Sequence, residues 1–159
     1  MDGLKLSHDR IRNVHLLGIG GSGMSGLAAL LSELGFEVSG CHMAHSYYME
    51  KLLARKVDCV LGHDPAHLDR YRPDLLIYSS AIPDRNEELI EAGRRGILIA
   101  RRAEVLSALF NERFGVGIAG THGKTTTSSM TALILDRAGL KPTVAIGGEV
   151  CDIGANARL

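Results

Sequence analysis

Two glycine-rich segments hold the residues best suited to chemistry. The first is Gly18-Ile19-Gly20-Gly21-Ser22-Gly23, which fits G-x-G-x-x-G at Gly18, Gly20 and Gly23. In such a loop one glycine makes the tight turn and one lets the backbone approach a pyrophosphate. The last lets helix and strand pack closely, and the helix then offers unpaired N–H groups and its positive dipole end to the anion. The second segment is Gly120-Thr121-His122-Gly123-Lys124-Thr125-Thr126-Thr127. Its successive backbone N–H groups would form an anion nest. Lys124 would reach β and γ phosphates, and the Thr125 hydroxyl would hold Mg²⁺. The full phosphate-loop pattern needs glycine at position 118, where the chain has Ile118, so Gly120 opens a shorter G-x-x-G-K-T. ATP or GTP is expected at this loop. A diphosphate-bearing nucleotide is expected at the first, against the alternative of a structural turn.

An NAD site would place Asp or Glu at the end of the second strand, about 20 residues on. Here that strand ends Ser39-Gly40-Cys41-His42-Met43, without an acid and without an arginine for a 2′-phosphate. A nicotinamide dehydrogenase is therefore disfavoured. Two phosphate loops in one chain suggest phosphoryl chemistry on a nucleotide-linked substrate. His63 and Ser79-Ser80-Ala81 follow strands at the edge where such sheets bind ligands, as nucleotide contacts or as plain capping and loop residues. His42 and His45 lack a metal-ligand pattern and read as surface or nucleotide-contacting. Arg94, Arg95, Arg101 and Arg102 read as solvated charges.

These loops need strands and helices to hold them. Residues 13–19 read as a buried strand entering the first loop. Residues 23–34 place Met24, Leu27, Ala28, Leu30, Leu31 and Leu34 at helical spacing, with Gly35 as cap. Strands are predicted over 36–40, 57–61, 74–79 and 97–100. Helices are predicted over 46–55 with Ser46 as N-cap, over 86–95 stopped by Gly96, and over 102–112. This alternation predicts an α/β, Rossmann-like parallel sheet covered on both faces. A second unit is predicted as strand 114–119, phosphate loop, helix 124–137 and strand 142–146. The expected domains are thus 1–112, which carries the first loop, and 113–159, the start of an ATP-binding domain built on the second. The second is too small to bury its own core. Ile118, Leu133, Ile134, Val144 and Ile146 are expected to want partners, leaving 113–159 poorly ordered or paired with another copy.

Composition bounds the rest. The 159 residues are 45% hydrophobic and 23% charged, which is globular and not disordered. Lys+Arg and Asp+Glu are 18 each, so the basic footprint of a nucleic-acid binder is absent. No apolar run approaches the roughly 20 residues of a membrane span, and the polar start does not read as a signal peptide. Cys41, Cys59 and Cys151 show no C-x-x-C spacing, which fits a reducing cytoplasm.

Taken in order, several stretches resemble the Mur ligases of peptidoglycan synthesis. They are Gly18 to Ser25, Gly62-His63, Ser79-Ser80-Ala81-Ile82, Arg102-Ala103-Glu104, Gly120 to Thr127, Gly147-Gly148 and Asn156-Ala157-Arg158-Leu159. The resemblance implies a substrate site for UDP-N-acetylmuramate at Gly18, Gly20, Gly21, Ser22, Gly23, Met24, His63, Ser79, Ser80 and Ala81. It implies an ATP and Mg²⁺ site at Gly120, Thr121, His122, Gly123, Lys124, Thr125 and Thr126, with Lys124 and Thr125 catalytic and Thr125 on the metal. The implied reaction is ATP-dependent amide formation with L-alanine through an acyl phosphate, in the cytoplasm, with neither nucleic acid nor membrane as partner. The chain departs from the family in carrying Cys41-His42 where an acid usually follows the second strand. The resemblance also implies that the acid completing the Mg²⁺ site lies beyond Leu159, so that this segment alone would be inactive. The alternative is a free-standing, non-catalytic module for a UDP nucleotide.

Overall fold

The computed structural model describes residues 4–150 and 155–158. Five strands form one parallel sheet: β1 (Asn13–Leu17), β2 (Glu37–His42), β3 (Asp58–Leu61), β4 (Leu75–Tyr78) and β5 (Leu98–Arg101). Their order is β3-β2-β1-β4-β5. Val14 pairs with Val38 on one side and Leu75 on the other. Helices α1 (Ser22–Glu33), α2 (Tyr47–Ala54), α3 (Ala66–Tyr71), α4 (Glu87–Arg94) and α5 (Arg102–Asn111) alternate with the strands.

Strand side chains alternate between the faces of the sheet, which produces two cores. Val14 and Leu16 pack with Met24, Leu27 and Leu31 of α1, Leu52 of α2 and Val105 of α5. Leu17 and Cys41 point the other way, among Leu68 of α3, Leu76 of β4 and Ala92 of α4. Each fully buried Leu or Ile contributes about 1.5–3 kcal/mol. The central strands β1 and β4, buried on both faces, therefore anchor the sheet that carries the first loop.

The expected helix starts hold. The Ser46 hydroxyl accepts the Met49 N–H at 3.2 Å, and the Asn86 side-chain oxygen Oδ1 accepts the Leu89 N–H at 3.0 Å. Gly35 and Gly96 follow α1 and α4 at φ +92° and +70°. Helix α3 had no sequence signal, because six residues with one buried apolar side chain, Leu68, show no period. It starts where the Asp64 carboxylate accepts the Ala66 N–H at 2.8 Å.

The later segment corrects one expectation. Residues 114–119 form no strand; Phe114 is 98% exposed and Val116 is 57% exposed. A strand needs a neighbour to complete its ladder, and among the described residues none lies beside this stretch. Helix α6 (Lys124–Arg137) forms as expected and ends at Gly139. The strand expected at 142–146 is β6 (Val144–Val150), but its partner is β7 (Ala155–Arg158), in an antiparallel pair separate from the parallel sheet. This hairpin packs against α1, and β6 also against α6. Val144 and Ala157 are buried in it. Among the described residues after 113, α6, β6 and β7 form, and the β6–β7 pair packs against α1. Of the stretches that carry the family resemblance, Leu159 lies outside the described residues.

Candidate functional site

The chain leaves β1 for one face of the sheet and β4 for the other, so a crevice opens between their carboxyl ends. In open α/β sheets ligands bind at such a switch point. Residues 18–23 line one side of it. Gly18 sits at φ +83°, a left-handed turn that favours glycine. The N–H groups of Gly18 and Ile19 both donate to the Cys41 carbonyl, at 2.8 and 3.1 Å, and Gly21 N–H donates to Gly18 O at 3.1 Å. The loop is thereby hung from the end of β2. Helix α1 follows Gly21 with no side-chain cap and no acid in its first turn, which suits an anion at its positive end.

Ser79 and Ala81 stand across the crevice. A Cβ on Gly18 would lie 3.6 Å from Ser79 Oγ, and that hydroxyl accepts the Ala81 N–H at 3.1 Å. Ser80 follows Ser79 in the same exposed turn. The expected residues Gly18, Gly20, Gly21, Ser22, Gly23, Ser79, Ser80 and Ala81 therefore gather at one edge. Met24 does so only through its backbone, because its side chain is 3% exposed and belongs to the α1 core.

Three further side chains frame the loop. The His42 ring and Ser46 Oγ lie where a Cβ on Gly20 would come within 2.5 and 2.7 Å of them. The Ser46 hydroxyl donates to Gly20 O at 2.9 Å, so one residue caps α2 and ties down the loop. The Arg102 guanidinium lies against Gly23, 2.9 Å from where a Cβ would stand. The exposed Arg102 side chain thus reaches the start of α1, beside the expected pyrophosphate position. Its place in Arg102-Ala103-Glu104 was the one sequence signal for it.

His63 follows β3, with Nδ1 2.8 Å from the Asn86 side-chain nitrogen. Burial holds its imidazole below the ordinary histidine range; Glu88 opposes this, and His42 and His67 add to it. His63 Nε2 and His42 Nδ1 are buried without a hydrogen-bond partner. Two unengaged ring nitrogens near the glycine loop suit the polar edge of a sugar or base.

The second loop is built separately. Gly123 sits at φ +76° and precedes α6, and Thr127 N–H donates to Gly123 O at 2.9 Å. Lys124 Nζ folds back to donate to Gly120 O at 2.5 Å and Thr121 O at 3.0 Å. Residues 120–127, including His122, Thr125 and Thr126, are all exposed. A cleft of about 800 Å³ lined by Lys5, Arg10, Asp74 and Arg95 opens at the opposite end of the strands, away from both loops.

Residues 13–114 match the family described as Mur ligase family, catalytic domain. A UDP-N-acetylmuramate–L-alanine ligase of Pelotomaculum thermopropionicum is 45% identical over 151 residues, 95% of this chain and 32% of that protein. One from Kineococcus radiotolerans is 52% identical over 142 residues, 89% of this chain and 30% of that protein. The chain thus spans about a third of the length of these curated relatives. Among solved structures, a UDP-N-acetylmuramate:L-alanyl-gamma-D-glutamyl-meso-diaminopimelate ligase from Neisseria meningitides superposes with a TM-score of 0.87 at 36% identity, over 94% of this chain and 47% of that one. A UDP-N-acetylmuramate-alanine ligase from Thermotoga maritima superposes at 0.82 with 29% identity, over 92% of this chain and 34% of that one.

Proposed function

This chain belongs to the Mur ligase family, and from that premise we propose that its switch-point crevice binds UDP-N-acetylmuramate. The supporting observation is the glycine loop, hung from β2, facing Ser79 and flanked by Arg102. The relatives' names differ in the amino-acid or peptide partner but share this nucleotide sugar. In this reading Arg102 and the N-terminus of α1 hold the diphosphate, and His42 and His63 face the sugar or base.

The second loop fits a nucleoside triphosphate by its donor set. Its Lys124 amine rests on two backbone carbonyls in an exposed loop, and the Thr125 hydroxyl stands in the first turn of α6. Lys124 would hold the phosphates of ATP and Thr125 the Mg²⁺. ATP would supply the phosphoryl group that turns the muramyl carboxylate, a poor electrophile, into an acyl phosphate open to the amine of L-alanine. The chain's own contribution is to bind and orient the carboxylate donor at one loop and to neutralise phosphate charge at the other.

Titration calorimetry of the chain with UDP-N-acetylmuramate, UDP and NAD tests the first site. Binding of both UDP compounds without NAD is expected. Tight NAD binding with no UDP response would overturn the reading.

A further inference from the structure

Beneath the glycine loop, on the α3–α4 face of the sheet, four side chains from four elements converge. They are His15 of β1, Cys41 of β2, His67 of α3 and Glu88 of α4. One ligand-type atom from each lies within 4.8 Å of all the others. His15, Cys41 and Glu88 are fully buried, and only His67 reaches solvent, with 13% of its side chain exposed.

Polar contacts already join the four groups, and Glu88 Oε2 also accepts the Asp64 N–H at 3.1 Å. His15 Nε2 and Glu88 Oε1 face each other at 3.1 Å as a fully buried pair, and among the described residues neither atom has a further partner. Buried polar atoms are normally satisfied, and a cation held between ring and carboxylate would satisfy both. Around Glu88 Oε2, Cys41 Sγ lies at 3.4 Å and His67 Nδ1 at 3.3 Å. Tetrahedral zinc with ligand bonds of about 2.0–2.3 Å has ligand–ligand edges of roughly 3.3–3.7 Å. The Cys41–Glu88 and His67–Glu88 separations have that length, His15 faces the other carboxylate oxygen, and all four ligand atoms stay within 4.8 Å of one another.

The outer partners also match. Ser39 Oγ lies 2.8 Å from His15 Nδ1 and donates onward to Val14 O at 3.5 Å. With the Ser39 oxygen accepting the Nδ1–H, the Nε2 lone pair would point into the cluster. Metal-bound histidines are commonly oriented in this way by a partner on the other ring nitrogen. Tyr71 stacks on the His15 ring at 5.0 Å and closes that side.

We propose that His15, Cys41, His67 and Glu88 form a closed site for one borderline-soft divalent metal of the zinc class, distinct from the magnesium chemistry of the phosphate loop. Two imidazoles, a thiolate and a carboxylate are a zinc-type donor set with no place for a hard, water-keeping cation. On binding, the Cys41 thiol loses its proton to solvent and its sulfur bonds the metal. One dication then balances one thiolate and one carboxylate, so the filled site is neutral in its apolar surroundings. The metal enters past His67. It clamps β2 at Cys41, whose carbonyl holds Gly18 and Ile19, and so stiffens the turn of the glycine loop.

The test uses the 159-residue chain with Zn²⁺ alone and Co²⁺ alone as probes. Metal analysis after dialysis should find one zinc per chain. Cobalt should give a thiolate-to-metal charge-transfer band that zinc displaces. Cys41→Ser should abolish the band, and Cys59→Ser should keep it. His67→Gln, at a partly exposed helix position, should weaken binding by more than the roughly 10–100-fold that loss of an outer partner costs, and Ser39→Ala by about that amount. Circular dichroism checks that each variant is folded. If Cys41→Ser fails to fold, His67→Gln and Ser39→Ala decide. A folded wild-type chain that neither retains zinc nor develops the cobalt band overturns the proposal. So does binding left unchanged by His67→Gln and Ser39→Ala, because the metal would then sit elsewhere.

Discussion

At Gly20 a single added carbon meets the His42 ring at 2.5 Å and the Ser46 hydroxyl at 2.7 Å. Sequence reasoning places glycine in such a loop to admit a pyrophosphate; here the protein's own neighbours already forbid a side chain. Overpacking of this kind costs about 1–3 kcal/mol. Gly20→Ala is expected to weaken UDP binding by about 10-fold, equivalent to about 1.4 kcal/mol, by displacing His42 and breaking the Ser46 tie. Arg102 makes a sharper test. If its guanidinium, beside Gly23, meets a diphosphate, Arg102→Ala should lower UDP affinity about 10-fold and leave uridine affinity unchanged. Calorimetry with both ligands reads this directly; equal losses for UDP and uridine would place Arg102 outside the phosphate site. The glycines of the loop were legible in the sequence because turn and close approach leave a residue-type signature. Arg102 was not, because an arginine at a helix start looks alike whether it faces water or a neighbouring helix 79 positions earlier in the chain.

Elements were legible where local chemistry starts and stops them. Ser46, Asn86, Gly35, Gly96 and Gly139 mark real ends. Ser46 has two tasks, capping α2 and holding Gly20 O. Ser46→Ala should lower stability by about 1 kcal/mol through the cap, about 2–4 °C in melting temperature for a chain of this size. It should also weaken UDP binding, which cap loss alone would not do. A thermal melt combined with a UDP titration separates the two, and an unchanged melt with unchanged affinity would remove both roles. The elements that escaped were α3, too short to show a period, and β7. The false strand at 114–119 failed for the converse reason: its apolar residues satisfy strand propensity, but among the described residues no neighbouring strand supplies the ladder.

At the scale of the whole molecule, α1 is buried from Met24 to Leu31 without a break. One side meets the sheet, and the β6–β7 hairpin packs against the helix as well. Hydrogen exchange should therefore be slowest in β1, β4 and α1 and fast across 114–120, where no ladder protects the amides. Slow exchange through 114–120 would reveal a strand pairing that the fold described here lacks. The alternation of strands and helices in the first sheet, the glycine loop in its strand–helix setting and the kinship with Mur ligases were all determined by the sequence alone. Each rests on short-range rules: backbone angles only glycine adopts easily, caps a few residues from what they cap, and periods within one element. Tertiary structure decided which distant side chains meet. The order β3-β2-β1-β4-β5 sets β1 between β2 and β4, and the two crossovers through α3 and α4 share one face. That placement brings His15, Cys41, His67 and Glu88 within reach of one another across 73 positions of chain. Proximity at that range depends on strand order and on which face each residue takes, and no local pattern encodes either.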